Sequence, residues 1–291
     1  MTSWHHDFVQ ANGIKIHYIT AGKGPLVLLL HGFPQFCYAW RHQIPALAGQ
    51  FQVVAPDLRG YGDTDKPIGV SEYQSDVLAA DIAGLIHALG YQKAHIIGHD
   101  WGGAVAWRLA LDYPQVVDHL AVLNCPHPYV FTKALKSNFQ QIRKSWYIFF
   151  FQISYLPEFI LKMNLKKTLE GLFRGTAIRK EAFSDADIDQ YCQAIKKPGA
   201  LTAALNYYRA AFHKVSAKDS KEKEKKKITA STLLVWGEND AALGKELTYD
   251  MEALFDGPFS IRYIPNCSHW VNEEQPELVN DLLLQFLQQN N

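Results

Sequence analysis

The chain has 291 residues, 48% of them hydrophobic and 20% charged, and its 29 basic side chains balance 29 acidic ones. A chain of this size can bury a large core in one domain carrying an insertion. Zero net charge excludes the basic footprint that phosphate neutralisation requires, so no nucleic-acid partner is expected.

The opening Met1-Thr2-Ser3-Trp4-His5-His6-Asp7 lacks the basic and apolar regions of a signal peptide. The four cysteines (Cys37, Cys125, Cys192, Cys267) are scattered, which fits reduced thiols and a cytoplasmic protein. Asn12-Gly13 is a type I′ turn signal and Gly22-Lys23-Gly24-Pro25 another turn, so the chain should begin as antiparallel strands. Apolar runs follow at Leu26 to Leu30, Phe51 to Ala55, Ala94 to Ile97, His119 to Leu123, Thr232 to Trp236 and Ser260 to Ile264. They do not alternate with polar residues, as expected of parallel strands buried on both faces. Helical patterns separate them, at Ser75 to Leu89 and Ala104 to Leu111, and a last helix begins at Pro276 with Leu278, Val279, Leu282, Leu283, Phe286 and Leu287 on one face. Strand–helix alternation predicts an α/β fold, a mostly parallel sheet flanked by helices.

The alternation stops after Cys125-Pro126-His127-Pro128 and returns only at Thr232. The expected organisation is a core over 1–128, a helical cap and connecting loop over 129–228, and the rest of the core over 229–291. The run Trp146-Tyr147-Ile148-Phe149-Phe150-Phe151 is far shorter than the roughly 20 apolar residues that span a bilayer. It predicts no transmembrane segment but a buried helix in a lid. Ser220 to Lys227 is a charge run, expected to be a solvated loop, with contact to an anionic membrane the lesser alternative.

The chemistry concentrates at Gly98-His99-Asp100-Trp101-Gly102-Gly103, where an apolar run meets a helical pattern. This is nucleophile-elbow spacing with a carboxylate in place of serine. A serine attacking saturated carbon would form an inert ether. A carboxylate forms an ester that activated water can cleave, so Asp100 points to the opening of C–O or C–halogen bonds. His31-Gly32-Phe33-Pro34 follows the first parallel strand, and the backbone N–H groups of Phe33 and Trp101 are candidates for an oxyanion hole. Trp236-Gly237-Glu238-Asn239-Asp240 supplies an acid, Asp240 with Glu238 as backup. Cys267-Ser268-His269-Trp270 supplies a histidine in the chain order nucleophile, acid, histidine. An opening epoxide releases a basic alkoxide, which a tyrosine with pKa about 10 can protonate. The candidates are Tyr147 and the pair Tyr207-Tyr208.

Together, His-Gly-Phe-Pro, Gly-His-Asp-Trp-Gly-Gly, Ser-Trp-Tyr, Asn-Tyr-Tyr-Arg, Gly-Glu-Asn-Asp and Ser-His-Trp resemble the soluble epoxide hydrolases of the α/β-hydrolase fold, over nearly the whole chain. The resemblance implies Asp100 as nucleophile, His269 as base, Asp240 as its partner, and Tyr147 and Tyr208 as donors to the epoxide oxygen. Tyr208 rather than Tyr207 is implied because the family's tyrosine directly precedes the Arg. A small apolar epoxide and water would be the partners, the epoxide lying against Phe33, Trp101, Phe150 and Trp270, with no cofactor and no metal. A homodimer is compatible with the sequence.

Two other readings stand beside this one. Haloalkane dehalogenases also use an Asp elbow, but usually carry Asn where this chain has Phe33; fluoroacetate-type dehalogenases usually place Arg after the nucleophile and an acid where this chain has Asn124. A silent binding protein of the same fold would usually have lost the nucleophile or the histidine, and both are present.

Overall fold

The computed structural model describes residues 4–212 and 226–288, so most of the charge run Ser220 to Lys227 lies outside the described residues. Eight strands form one sheet: β1 (His5–Ala11), β2 (Ile14–Ala21), β3 (Leu26–Leu30), β4 (Gln52–Pro56), β5 (Ala94–His99), β6 (Val117–Leu123), β7 (Ser231–Gly237) and β8 (Phe259–Ile264). Their order is β1-β2-β4-β3-β5-β6-β7-β8. β1 and β2 form the expected hairpin, with Ala11 opposite Ile14 across a two-residue turn. Asn12 and Gly13 both have positive φ (46° and 78°), as a type I′ turn requires. β2 runs antiparallel to β4, and every later pairing is parallel.

The all-apolar strands are explained by two buried faces. Leu28, Ile96, Leu120 and Leu234 belong to one core cluster, and Val27, Leu29, Ile97, Ala121 and Val235 to another. Helices cover the sheet: α1 (Gln43–Leu47), α2 (Ser75–Ala88) and α3 (Trp101–Asp112) among the early strands. Between β6 and β7 come α4 (Pro128–Ser137), α5 (Phe139–Lys144), α6 (Trp146–Phe150), α7 (Leu156–Met163), α8 (Leu165–Thr176), α9 (Asp185–Lys196) and α10 (Ala200–Ala211). The short α11 (Val271–Glu274) and α12 (Pro276–Leu287) close the chain. β8, an edge strand, departs from the expected full burial: Arg262 and Tyr263 face solvent.

A third apolar cluster joins the inserted helices to the core through Phe173, Phe183, Tyr191, Tyr208 and Trp270, with Phe33 and Trp101 packed against it. One expectation fails here. The aromatic run at Trp146 is a helix but not a buried one: Ile148 is buried, whereas Trp146 is 65% and Phe149 45% exposed. A one-turn-and-a-half helix lying on the surface of the insertion can bury only its inward face. Among the described residues no helix is long and apolar enough to cross a membrane.

Candidate active site

The site forms where strands β3, β5, β7 and β8 end. Asp100 follows β5 and caps α3 with φ 51° and ψ −120°. That is a strained conformation for a residue with a Cβ, and it persists because its surroundings fix it. The backbone of Asp100 donates to Leu123 O at 3.3 Å and accepts from Ala104 N at 3.0 Å. Gly32 lies against the nucleophile so closely that a Cβ there would meet Asp100 Cβ and Oδ1 at 2.4 Å. Any larger residue would displace the carboxylate. This contact brings the Phe33 N–H to 2.7 Å from Asp100 Oδ1. His31 steadies the same loop: its Nε2 accepts from Leu58 N at 3.0 Å and its Nδ1 lies 3.0 Å from Gly32 O. Burial lowers the His31 pKa, so the neutral ring serves as a bracket.

His269 faces two carboxylates. Its Nδ1 lies 2.7 Å from Asp240 Oδ2 and its Nε2 3.5 Å from Asp100 Oδ2. The loops carrying acid and histidine come together at Gly237, where a Cβ would lie 2.0 Å from Ser268 O. Asn239 N also donates to Cys267 O at 2.9 Å. Asp240 accepts four hydrogen bonds: Ala242 N and Leu243 N reach Oδ1 at 2.8 and 2.9 Å, while Asn124 Nδ2 and His269 share Oδ2. Burial disfavours the imidazolium, but the charges of Asp240 and Asp100 outweigh it and raise His269 to about 10. Burial would likewise raise Asp100 and Asp240, yet the His269 charge holds both below the usual carboxylate range.

The two tyrosines come from different helices and meet close enough to Asp100 to feel its charge. Tyr147 on α6 and Tyr208 on α10 have ring centroids 5.9 Å apart. Tyr208 also packs edge-on against Phe33 at 5.4 Å and Trp101 at 5.0 Å. Burial first, then the charge of Asp100, pushes both phenols up, so both stay protonated. A hydrogen bond from the Trp101 side chain to Tyr208 acts in the opposite direction. The string Asn206-Tyr207-Tyr208-Arg209 divides its labour. Tyr207 donates to Arg59 O at 2.7 Å, away from the site. Arg209 grips Glu158 with two hydrogen bonds of 2.7 and 3.0 Å and donates to Phe151 O and Ile153 O. It thereby locks the end of α6 onto α10.

Of the expected substrate contacts, Phe33 and Trp101 border Tyr208. Trp270 is buried, edge-on to His269 at 4.8 Å, with its Nε1 on Thr176 Oγ1 at 2.9 Å. Phe150 packs on Trp146 and Phe151. Phe151, one residue on, is the ring that touches Phe33, Tyr147 and Tyr208 together. Sequence reasoning gave no site role to Asn124, Arg209 or Gln141, and chose Phe150 rather than Phe151 as the substrate contact. Asn124 takes φ 40° at the end of β6 and bridges Asp240 to Gly237 N. Gln141 on α5 donates to Ala242 O and accepts from Gly244 N, tying the helix before Tyr147 to the acid loop. A buried polar side chain in the insertion was the available signal for Gln141; nothing local marks Asn124.

Among the described residues two groups have ligand-like spacing, His17–Cys37–Asp57 and His95–Asp118–His119. In the first, Asp57 already accepts from His17, Cys37 N and Asp63 N. Neither group includes a residue of the Asp100 site.

The alpha/beta hydrolase fold family matches residues 25–276. The chain is 40% identical over 287 residues to "Epoxide hydrolase 4" of Homo sapiens, covering 97% of this chain and 78% of that protein. It is 36% identical over 295 residues to "Epoxide hydrolase 2" of Caenorhabditis elegans, covering 100% and 82%. Among solved structures, Epoxide Hydrolase A from Mycobacterium thermoresistibile has a TM-score of 0.86 at 30% identity, with 98% of each chain covered. The Bacillus megaterium epoxide hydrolase in complex with an inhibitor has a TM-score of 0.84 at 31% identity, covering 97% of this chain and all of that one.

Proposed function

The chain belongs to the α/β-hydrolase-fold epoxide hydrolases, which convert epoxides to vicinal diols through an ester on an elbow aspartate, and from that premise we propose the role of each residue here. Asp100 Oδ2 attacks a ring carbon of the epoxide. The C–O bond of the ring breaks, and the departing oxygen takes a proton from Tyr147 or Tyr208. The Trp101 indole stabilises negative charge gathering on the Tyr208 oxygen, a duty that differs from holding a halide. Water then attacks Cγ of the ester. His269 takes its proton, and the oxyanion growing on Asp100 Oδ1 is met by the Phe33 and Trp101 N–H groups. Collapse breaks the Cγ–Oδ2 bond. The leaving alkoxide takes the proton from His269 and departs as the diol carrying the original Oδ2. The water oxygen stays in Asp100, whose new carboxyl returns its proton to His269.

The charge pattern times the two stages. While Asp100 is ionised, His269 is held protonated. Ring opening removes the Asp100 charge and leaves a phenolate on the donor tyrosine. The imidazolium, now supported by Asp240 alone, returns its proton to that phenolate, and the neutral histidine is then a competent base when water must be activated. The observation that carries this reading is the split use of one carboxylate: Oδ1 on the Phe33 N–H, Oδ2 toward His269. A single turnover in heavy-oxygen water with enzyme in excess tests it. Label should enter Asp100 before any reaches the diol; label passing straight into the diol would refute the covalent route. Helices α4 to α10 act as a cap that shapes an apolar pocket and excludes water. Four buried free thiols favour the cytoplasm as its compartment.

A further inference from the structure

The helix α7 is inside out. Its acid, Glu158, is buried in the ion pair with Arg209, while Leu156, Phe159, Ile160 and Met163, spaced as one helical face, are 43%, 65%, 44% and 72% exposed. Soluble helices turn that stripe to the core. The loop before it presents Tyr155 at 85% exposure, in a left-handed backbone (φ 63°) that aims the phenol outward rather than into the fold. With Trp146 on α6, the ridge gathers eight of the seventeen exposed large apolar side chains among the described residues into the eighteen from Trp146 to Met163. Apolar patches so concentrated mark an interaction surface.

The charge around the ridge chooses the partner. Between Tyr129 and Thr168 there are seven Lys and Arg and one acid, Glu158, which is the buried one, although the whole chain is neutral. We propose that this cap face docks on an anionic lipid bilayer, with the α7 ridge in the headgroup–acyl boundary and Lys162 and Lys167 on the phosphates; Lys166 is already paired with Asp189 at 2.7 Å. Aromatic and aliphatic side chains with lysines close by in the chain suit that boundary, where Trp and Tyr rings settle at headgroup depth. A second copy suits it less, because a two-fold contact would set two basic surfaces against each other. α6 turns Trp146 and Phe149 outward while Tyr147 packs on Phe151 and Tyr208 inside. On the epoxide hydrolase reading, the docked cap would put the pocket within reach of epoxides dissolved in the membrane.

Flotation of the full chain with phosphatidylcholine vesicles, with and without about 30 mol% phosphatidylserine, tests the docking without any assay of turnover. The chain should float with the anionic vesicles and do so about tenfold less with neutral ones. The Phe159→Ser, Ile160→Ser, Met163→Ser variant and the Lys162→Glu, Lys167→Glu variant should each lose tenfold or so of that binding. Both should keep the wild-type far-UV spectrum and wild-type turnover of a short water-soluble epoxide, while losing turnover of a long-chain epoxide carried in the vesicles. Wild-type protein that never floats, variants that float like wild type, or a lipid-free dimer that the triple variant abolishes would each overturn the proposal. Docking without turnover of either epoxide would leave it standing and defeat the reaction assignment instead.

Discussion

The ends of the strands and the inserted helices hold their parts of the site by different means. Asp100, Asp240 and His269 follow β5, β7 and β8, whose parallel pairing runs through β6 and sets the loops at fixed heights. Backbone N–H groups then fix the carboxylates, Phe33 on Asp100 and Ala242 and Leu243 on Asp240. The tyrosines have no such ladder. Tyr147 sits on a five-residue helix held by Gln141 below and by Phe151 and Arg209 above, all side-chain contacts. On the proposed roles, the groups of the covalent chemistry are placed by backbone register and the proton donors by packing. The core should therefore tolerate change at no catalytic position, and the cap should lose function by degrees.

The largest expected effect probes the core. His269→Gln keeps Asp100 able to attack but removes the base, so turnover should fall roughly 10³-fold or more. Intact-mass spectrometry should then find one equivalent of substrate on Asp100. An unmodified variant turning over at the wild-type rate would remove His269 from its role. Next comes the cap. Tyr147→Phe with Tyr208→Phe should slow ring opening by about 10²–10⁴-fold without building up any ester, the reverse signature. Each single variant should lose less, since one phenol remains; a fully active double variant would reduce the cap to packing.

A smaller loss is expected at the hinge between the regions. Asn124→Ala takes one donor from buried Asp240, a hydrogen bond to a charged group of about 1.5–3 kcal/mol. Stopped-flow kinetics should show ester hydrolysis slowed about tenfold or more, with ester formation spared. Equal slowing of both stages would mean that Asn124 only supports the fold. Last, Asp100→Asn removes a negative neighbour that favours the imidazolium. The His269 pKa, raised to about 10 with Asp100 ionised, should fall. By the same sign, the rate of ester hydrolysis should rise with pH through that lowered value. Imidazole proton NMR of the two proteins measures the shift; an unmoved titration would uncouple the pair.

Much of the core was legible. The six parallel-strand runs, the Asn12-Gly13 hairpin and the elbow all carry local signals, because a doubly buried strand is apolar throughout and a tight turn demands particular residues. Strand ends moved by one or two residues: Gly98 and His99 continue β5, while β4 starts at Gln52 instead of Phe51 and ends at Pro56. The cap was read as helical, yet its aromatic run was expected inside, and Trp146 and Phe149, two of its six residues, lie outside. Hydrophobicity reports what a side chain prefers, and a five-residue helix does not reveal which face it turns.

Within the site, the order of Asp100, Asp240 and His269 along the chain was enough to pick out three groups, since each follows an apolar run that must be a strand. Their distances, the use of Asn124 as a strut, the choice of Phe151 over Phe150 as the ring against Phe33, Tyr147 and Tyr208, and the separation of Tyr208 from Tyr207 were decided only in three dimensions. The physical reason is the range of the interactions. Strand, turn and elbow follow from neighbours a few residues apart, whereas Asp240 bonds His269 from 29 residues away and Asn124 bonds Asp240 from 116, and only the packed sheet brings them within hydrogen-bonding reach.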